Sequence, residues 1–340
     1  MAKPASKDPP HVAASEIAYP ISELAEVVAA LRVSREVTNN VRYRGTVREL
    51  PSRVALRQIV DGLIAALFPT HYGRPALSNE NIDYFVGHTL DVALSSLTVE
   101  VRCGLSFRPD LEGTDIATTA TEITRELTKR LPDIRALLVS DLLAAYEGDP
   151  AATSASEILL CYPGIRAIIH YRLAHTLHQL GAPFIARLIS AIAHAETGVD
   201  IHPAAEIGSA FFIDHGTGVV IGETTVIGSN VRLYQAVTLG AKHFPVDEDG
   251  ILIKGNARHP IIEDDVVIYA GATVLGRIVV GRGSTIGGSV WLTQSVAPGS
   301  HITQAQTRRV SNDEAILHKL TVAADDPDRE PFELHLASDQ

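Results

Sequence analysis

The sequence predicts an α+β protein in which an all-helical N-terminal domain precedes a parallel β-helix of hexapeptide repeats. The main observation is an aliphatic residue that returns every six positions between Ile201 and Leu292. A period of six fits neither the 3.6-residue period of a helix nor the alternation of a strand, so it indicates an internal repeat. Before Gly198, by contrast, apolar residues recur with helical spacing.

The repeat consists of three runs of hexads separated by interruptions. Their aliphatic positions are Ile201, Ile207 and Ile213, then Ile221, Ile227, Leu233 and Leu239, then Ile262, Ile268, Val274, Val280, Ile286 and Leu292. A glycine often follows the aliphatic residue, where it lets the chain turn tightly. We interpret each hexad as one short strand plus a corner, so that three hexads close one triangular coil and successive coils stack. An ordinary β-sandwich with chance spacing would not keep this register.

The predicted domains follow from these two patterns. Residues 1–15 are rich in Lys, Pro, Ala and Ser and predict a disordered tail. Residues 16–198 predict a helical domain, 199–297 the β-helix, and 298–340 a polar C-terminal tail. The boundary near Gly198 is marked because glycine commonly ends a helix.

Within the helical domain, the apolar spacing defines successive helices. Leu24, Val27, Val28 and Leu31 mark the first. The second covers 52–67, is capped by Ser52, and is expected to bury Val54, Ile59, Leu63 and Leu67. The remaining helices are expected at about 78–107 with Ser78 as cap, 114–146 with Pro132 as a candidate break, 165–180 and 183–195.

Composition excludes several classes of protein. The formal net charge is −11, and no Lys/Arg cluster is long enough to follow a phosphate backbone, so we expect no nucleic-acid partner. Cys103 and Cys161 are far apart and predict neither a disulfide framework nor a zinc site. No apolar run reaches about 18 residues, and residues 1–15 lack the apolar core of a signal peptide. We therefore expect no membrane partner and a cytoplasmic protein.

Two interruptions of the hexads carry the candidate chemistry. The first is Asp214–Gly218, which contains His215. The second is 241–260, which contains Lys242, His243, Lys254, Arg258 and His259. Histidine is the side chain most easily tuned as a general base near neutral pH, and it needs a carboxylate to orient it. Asp200 lies less than one 18-residue coil before His215 and is a candidate partner. The alternatives are that His215 lies in a solvated turn and that His202 is a corner histidine.

Five segments resemble the serine O-acetyltransferase family. They are VDIHPAAEIG at 199–208, DHGTG at 214–218, GET at 222–224, VTLG at 237–240 and RHP at 258–260. The resemblance extends over about 149–297. It implies a left-handed β-helix, trimeric assembly, and transfer of acetyl from acetyl-CoA to the hydroxyl of L-serine, the first step towards cysteine.

The resemblance also assigns roles to individual residues. His215 matches the general base and Asp200 its partner. Asp149 would bind the amino group of serine, and Asp214 would line the same pocket. Arg258 and His259 match the pair that holds the serine carboxylate, and a neighbouring subunit would supply them. Backbone at Gly240, Ala270 and Gly271 would flank the coenzyme, whereas the role of Glu223 is left open.

No permanently bound cofactor or metal is expected, and acetyl-CoA enters as a co-substrate. The motifs place no cysteine or serine as a covalent nucleophile, so we expect direct transfer in a ternary complex.

The chain departs from the family pattern at three places. The 241–257 insertion is longer than the common form, and Tyr269 replaces a residue that is usually glycine beside the coenzyme. The sequence ends at Gln340, without the isoleucine by which many members dock into O-acetylserine sulfhydrylase, so we do not expect that partnership.

Three other functions are weighed against this one. The same donor could serve another acceptor, such as homoserine or a sugar hydroxyl, since the long insertion adjoins Arg258. A metal-dependent hexapeptide protein of the γ-carbonic anhydrase kind would use ligands from His202, His215, His243 and His259. A non-enzymatic scaffold would explain the repeat but neither polar interruption.

Overall fold

The computed structural model describes residues 21–38, 49–74 and 77–304. The chain divides into two compact units, Met1–Glu49 and Leu50–Gln340. In the first unit, helix α1 spans Ile21–Val33, as its apolar spacing predicts, and a π-helical turn, Ser34–Thr38, follows it. The predicted disordered tail at 1–15 and the C-terminal segment beyond residue 304 lie outside the described residues.

The second unit begins with a bundle of helices. Their bounds are α2 Arg53–Leu67, α3 Pro69–Tyr72, α4 Ile82–Leu105, α5 Ile116–Gly148, α6 Ala155–Cys161, α7 Pro163–Gln179 and α8 Pro183–Thr197. The Ser52 hydroxyl caps α2 by accepting a hydrogen bond from the Ala55 N–H at 3.2 Å. Gly198 ends α8 in the left-handed conformation with φ of 71°, as expected for a glycine at that position.

Three details of the helical prediction are wrong. Val54 is 67% exposed, because the buried face of α2 follows Leu56, Ile59, Val60 and Leu63 and leaves residue 54 on the opposite side. Helix α4 begins at Ile82 rather than Ser78, since the Asn81 side chain accepts from the Ser78 N–H and holds a turn there. Pro132 does not break α5, whose flanking residues Leu131 and Ile134 are buried in the core.

Residues 199–304 form a left-handed parallel β-helix with three flat sides. Its short strands are β1 Asp200–Ile201, β2 Glu206–Ile207, β3 Phe212–Ile213, β4 Val220–Ile221, β5 Val226–Ile227, β6 Arg232–Leu233, β7 Thr238–Gly240, β8 Ile261–Ile262, β9 Val267–Ile268, β10 Thr273–Leu275, β11 Val279–Val280, β12 Thr285–Ile286, β13 Trp291–Leu292 and β14 His301–Ile302. Each of the thirteen hexad aliphatic residues lies in one of these strands.

Every third strand stacks in register on the same side. Sheet A contains β1, β4, β7, β10 and β13, sheet B contains β2, β5, β8 and β11, and sheet C contains β3, β6, β9, β12 and β14. Ile201, Ile221, Leu239, Val274 and Leu292 line up on the inner face of sheet A and are all buried. The hexad period therefore encodes one inward aliphatic residue per side.

The coil continues beyond residue 297, where the hexad spacing ends. Strand β14 pairs with β12, and Val296 forms a bridge with Val280. The step from sheet A to sheet B is shorter here, because Val296, which pairs with Val280, follows Leu292 by four residues instead of six, so a search for a six-residue period misses this coil.

The helices cap the first coil of the β-helix, and their side chains form hydrogen bonds with backbone groups that no neighbouring strand pairs. The Arg172 guanidinium donates to the Ile207 and Gly208 carbonyls, each at 2.6 Å, and to the Asp141 carboxylate at 3.0 and 3.1 Å. Asp141 in turn accepts from the Phe211 N–H at 2.9 Å. An uncovered coil would leave strand edges unpaired, and this buried network satisfies them.

Two edges of the triangular coil carry the polar interruptions. The C–A edge joins sheet C to sheet A and contains Asp214–Gly218, 234–237, 269–272 and 287–290. The A–B edge joins sheet A to sheet B and contains 202–205, 222–225 and the long 241–260 segment.

Candidate active site

His215 projects from the first turn of the C–A edge. Its backbone is left-handed, with φ of 58°, a conformation that only a few per cent of non-glycine residues adopt. The turn is held by a 2.7 Å hydrogen bond from the Gly216 N–H to the Asp214 carbonyl. The imidazole is 69% exposed, and its Nδ1 lies 3.8 Å from Asp214 Oδ1. A rigid turn therefore presents an accessible histidine beside a carboxylate.

Asp149 reaches the same place from the end of α5. Its carboxylate accepts from the Tyr162 hydroxyl at 2.5 Å and from the Ala151 N–H at 2.8 Å. These bonds, with a weaker contribution from the positive charge of Arg232, lower the pKa of Asp149. We call Asp149, Tyr162, Asp214 and His215 the His215 cluster.

Sequence reasoning missed Tyr162. Its hydrogen bond to Asp149 raises the pKa of the phenol to about 12, so it stays a donor at neutral pH. The available signal was the Tyr162-Pro163 pair, because a proline at the first helical position fixes the residue before it in an extended conformation.

Asp200 lies on the outer face of sheet A, next to this edge. It pairs with Val220 in the register of β1 and β4, and the Gly218 N–H donates to the Gly198 carbonyl just before it. Within the described parts of the chain, the Asp200 side chain makes no hydrogen bond to His215; the contact of that ring is with Asp214. The orienting role of Asp200 stays a prediction.

Arg258 and His259 lie on the A–B edge, where Thr224 organises them. The Thr224 hydroxyl oxygen accepts from the backbone N–H groups of Arg258 at 2.9 Å and His259 at 3.1 Å. The Arg258 guanidinium donates to Glu223 Oε2 at 2.5 Å. The sequence left the role of Glu223 open. In the structure, Glu223 is the ion-pair partner that holds the Arg258 side chain. We call Glu223, Thr224, Arg258 and His259 the Arg258 cluster.

His259 is buried and neutral. Burial, with the neighbouring charge of Arg258, lowers its pKa to about 4. Its Nδ1 accepts from the Thr224 N–H at 3.1 Å, which leaves Nε2 as the ring donor. Arg258 therefore supplies the positive charge of this cluster, and His259 supplies a directed N–H.

The structure places His202 in a turn of the A–B edge. Its Nδ1 accepts from the Ala204 N–H at 3.1 Å, and burial is the largest cause that lowers its pKa to about 4. This is the geometry of a corner histidine. Across the described ranges, no group of three His, Cys, Asp or Glu side chains could hold a metal ion.

The predicted coenzyme-flanking residues lie at both margins of sheet A. Gly240 ends β7, whereas Ala270 and Gly271 form the turn before β10. Beside them, the Tyr269 ring stacks on Tyr234 at a centroid distance of 5.0 Å and an angle of 6°. The contact of Gly240, Ala270 and Gly271 with coenzyme stays a prediction.

The 241–257 insertion forms a small hairpin beside the Arg258 cluster. Val246 and Leu252 form an antiparallel bridge, and Asp247 accepts from the N–H groups of Asp249 and Ile251 to hold the turn. A cavity of about 380 Å³ opens between this hairpin and the Glu223–Arg258 pair, with Phe244, Pro245, Leu252 and Ile253 in its apolar wall.

The two clusters lie on different edges of the coil. The His215 cluster occupies the C–A edge and the Arg258 cluster the A–B edge, so the width of sheet A separates them within one chain. No contact joins the two clusters in the part of the chain that the structure describes.

Fold and polar edges together define an acyltransferase of the hexapeptide-repeat class, and the comparisons with known proteins identify its family. The plasmid-encoded serine acetyltransferase of Synechococcus elongatus is 61% identical over 265 residues, which cover 76% of this chain and 83% of that protein. The serine acetyltransferase of Mycobacterium tuberculosis is 47% identical over 160 residues, which cover 47% of this chain and 66% of its own length. The chain belongs to the serine acetyltransferase family.

Solved structures agree with this assignment. The Entamoeba histolytica serine acetyltransferase isoform 3 in complex with cysteine aligns with a TM-score of 0.63 and 31% identity, covering 88% of this chain and 99% of its own. Serine acetyltransferase 1 of the same organism, in complex with L-cysteine, aligns with a TM-score of 0.65 and 32% identity, covering 84% and 100%. No family model matches the chain. Within the described residues, no helix is long and apolar enough to cross a membrane.

Proposed function

We propose that this protein transfers the acetyl group of acetyl-CoA to the hydroxyl of L-serine, with His215 as the general base. The observation that carries the proposal is the His215 cluster, in which an accessible imidazole lies 3.8 Å from the Asp214 carboxylate on a tight turn and interacts electrostatically with Asp149. The carboxylates of Asp149 and Asp214 suit the ammonium group of an amino-acid substrate. The relatives named serine acetyltransferase support the acceptor.

The chemistry follows from these groups. A serine hydroxyl is a weak nucleophile, and a neutral His215 can take its proton as the oxygen attacks the thioester carbonyl. The tetrahedral intermediate then expels the coenzyme thiolate, which takes up a proton. A carboxylate next to the imidazole stabilises the imidazolium that forms in between. The contact with Asp214 at 3.8 Å supports Asp214 in this role, and the family resemblance assigns it to Asp200.

The substrate carboxylate is assigned to the Arg258 cluster. The Arg258 fork can donate two parallel hydrogen bonds to a carboxylate, and Glu223 holds that fork in place. His259 adds a neutral N–H donor. One L-serine molecule cannot touch both edges of the same coil, because sheet A lies between them. We therefore propose a trimer in which His215 of one subunit faces Arg258 of the next.

Thiol release from acetyl-CoA with a panel of acceptors tests the function. We expect turnover with L-serine that exceeds turnover with L-threonine, L-homoserine and amino sugars. No thiol release above background with any acceptor would contradict the proposal. A truncated chain is unsuitable for this assay, because the helices close the first coil.

One observation favours a second acceptor. The cavity of about 380 Å³ beside Arg258 offers an apolar wall that the small side chain of serine does not need. L-Homoserine keeps the amino and carboxylate groups and adds one methylene, so it is the second candidate. A higher kcat/KM for L-homoserine than for L-serine would favour it, and removal of residues 244–253 should then restore the preference for serine.

A further inference from the structure

The outer face of sheet A connects the two margins of the proposed site. Its outward positions form one ladder in register, Asp200, Val220, Thr238, Thr273 and Trp291. The ladder begins beside the His215 turn and ends in an indole that is 70% exposed. The Trp291 ring makes no stacking or cation–π contact with any described residue.

The distance along this ladder matches the reach of the acyl donor. His215 precedes β4, and β13 lies three strands further along sheet A. Neighbouring strands are about 4.8 Å apart, so Trp291 lies roughly 14 Å along the coil from the level of His215. A pantetheine arm has about a dozen bonds between sulfur and phosphate and, at about 3.5 Å for every three bonds, spans at most roughly 14 Å, so a bent arm leaves the phosphates short of Trp291 and brings the adenine beyond them to its level.

A cation lies at the A–B margin of the same sheet. Lys242 packs over Gly276, which lies in the turn between β10 and β11 on the A–B edge. Its side chain is exposed, and its ammonium has no ion-pair partner among the described residues. An exposed indole on a sheet and an exposed, unpaired lysine at the margin of that sheet suit a purine nucleotide, because the ring stacks on the base and the cation attracts the phosphates.

We propose that Trp291 binds the adenine ring of the acetyl-CoA donor, with Lys242 near its phosphates. This inference rests on the proposed function, because it takes the thioester to be at His215. It makes Trp291 a residue for donor specificity. The enzyme would then distinguish full coenzyme A from shorter pantetheine thioesters through a contact at Trp291, three strands away from the reacting bond.

Trp291 is the single tryptophan of the chain, so intrinsic fluorescence reports on it alone. We expect coenzyme A and adenosine 3′,5′-bisphosphate to quench the emission of the full-length protein, and pantetheine to leave it unchanged. Equal quenching by pantetheine would overturn the assignment. So would an unchanged emission with coenzyme A in a preparation that consumes acetyl-CoA, whereas a preparation that never consumes acetyl-CoA would refute the proposed function instead.

Kinetics provide the second readout. Trp291→Ala should raise the KM for acetyl-CoA by about 5- to 100-fold, the range expected for loss of one base-stacking contact, and should leave the KM for acetyl-pantetheine unchanged. Trp291→Phe should restore most of the affinity. Tyr84→Ala, which removes an 82% exposed aromatic ring from the helical bundle, is the control. An unchanged KM for acetyl-CoA with an altered oligomeric mass would show instead that Trp291 is covered by a second copy of this chain.

Discussion

The His259 imidazole lies directly over Gly222, so closely that a Cβ on Gly222 would overlap its Cδ2 and Nε2 atoms. His259 keeps this position because its Nδ1 accepts from the Thr224 N–H. The glycine is therefore required by the packing of a neighbouring side chain, since its φ is not in the left-handed range.

Gly222→Ala should displace His259 and weaken acceptor binding. We expect a raised KM for L-serine, an unchanged KM for acetyl-CoA and a loss of about 1–3 kcal/mol in the free energy of unfolding, as for an overpacked site. Gly87→Ala is the control, because a Cβ there meets nothing within 4 Å. Normal kinetics in Gly222→Ala would contradict the role of His259.

His215→Asn should lower kcat by about 10²- to 10⁴-fold, the usual contribution of a general base, without unfolding the protein. Asparagine is chosen because it tolerates the left-handed backbone that residue 215 adopts. Thiol release at saturating substrates measures the effect, and circular dichroism checks the fold. Turnover within a few-fold of the unmodified enzyme would exclude His215 as the base.

The placement of the clusters on two edges predicts complementation between inactive variants. His215→Asn and Arg258→Ala should each be nearly inactive alone. In each mixed trimer, one of the three interfaces combines an intact His215 with an intact Arg258, so isolated mixed trimers should regain about a third of the sites. Co-expression with two affinity tags isolates these trimers. If the isolated mixtures stay inactive, the site is not shared in this way.

The Asp141–Arg172 pair should be a major determinant of stability. Both side chains are almost fully buried, at 0% and 3% exposure, so Arg172→Ala leaves an uncompensated buried carboxylate. We expect a loss of about 3–5 kcal/mol in the free energy of unfolding, measured by urea titration. Arg282→Ala breaks the exposed Arg282–Asp264 pair and should cost less than about 1 kcal/mol. Similar losses for both variants would contradict this distinction.

Acidification should destabilise the protein before its carboxylates titrate. His259 is held neutral, with its pKa lowered from 6.5 to about 4, so between those values the unfolded chain binds more protons than the folded one. Stability should then fall as pH falls through this window, by about 2 kcal/mol at pH 5 for His259 alone. Urea midpoints at pH 7, 6 and 5 measure the slope, and His259→Gln should reduce it. An unchanged midpoint down to pH 5 would show that His259 is protonated in the fold.

Much of the fold could be predicted because the repeat is local. One inward aliphatic residue per side is a requirement that each hexad meets separately, so the period marks thirteen of the fourteen strands within residues 199–304. Helix α2 was predictable from Ser52 and its apolar spacing for the same reason. The prediction fails where contacts between residues distant in sequence determine the local structure. Pro132 stays within α5 because the residues around it are buried against other helices.

The site residues show the same difference between local patterns and distant contacts. The sequence alone determined the motifs, and with them the candidate base His215, the Arg258–His259 pair and the family. Only the tertiary structure decided which groups meet. It brought Tyr162 to Asp149 and Thr224 to His259, which no spacing in the sequence indicates. It also placed His215 and Arg258 on different edges, because the number of residues per coil, rather than the identity of any residue, sets the edge to which each turn belongs.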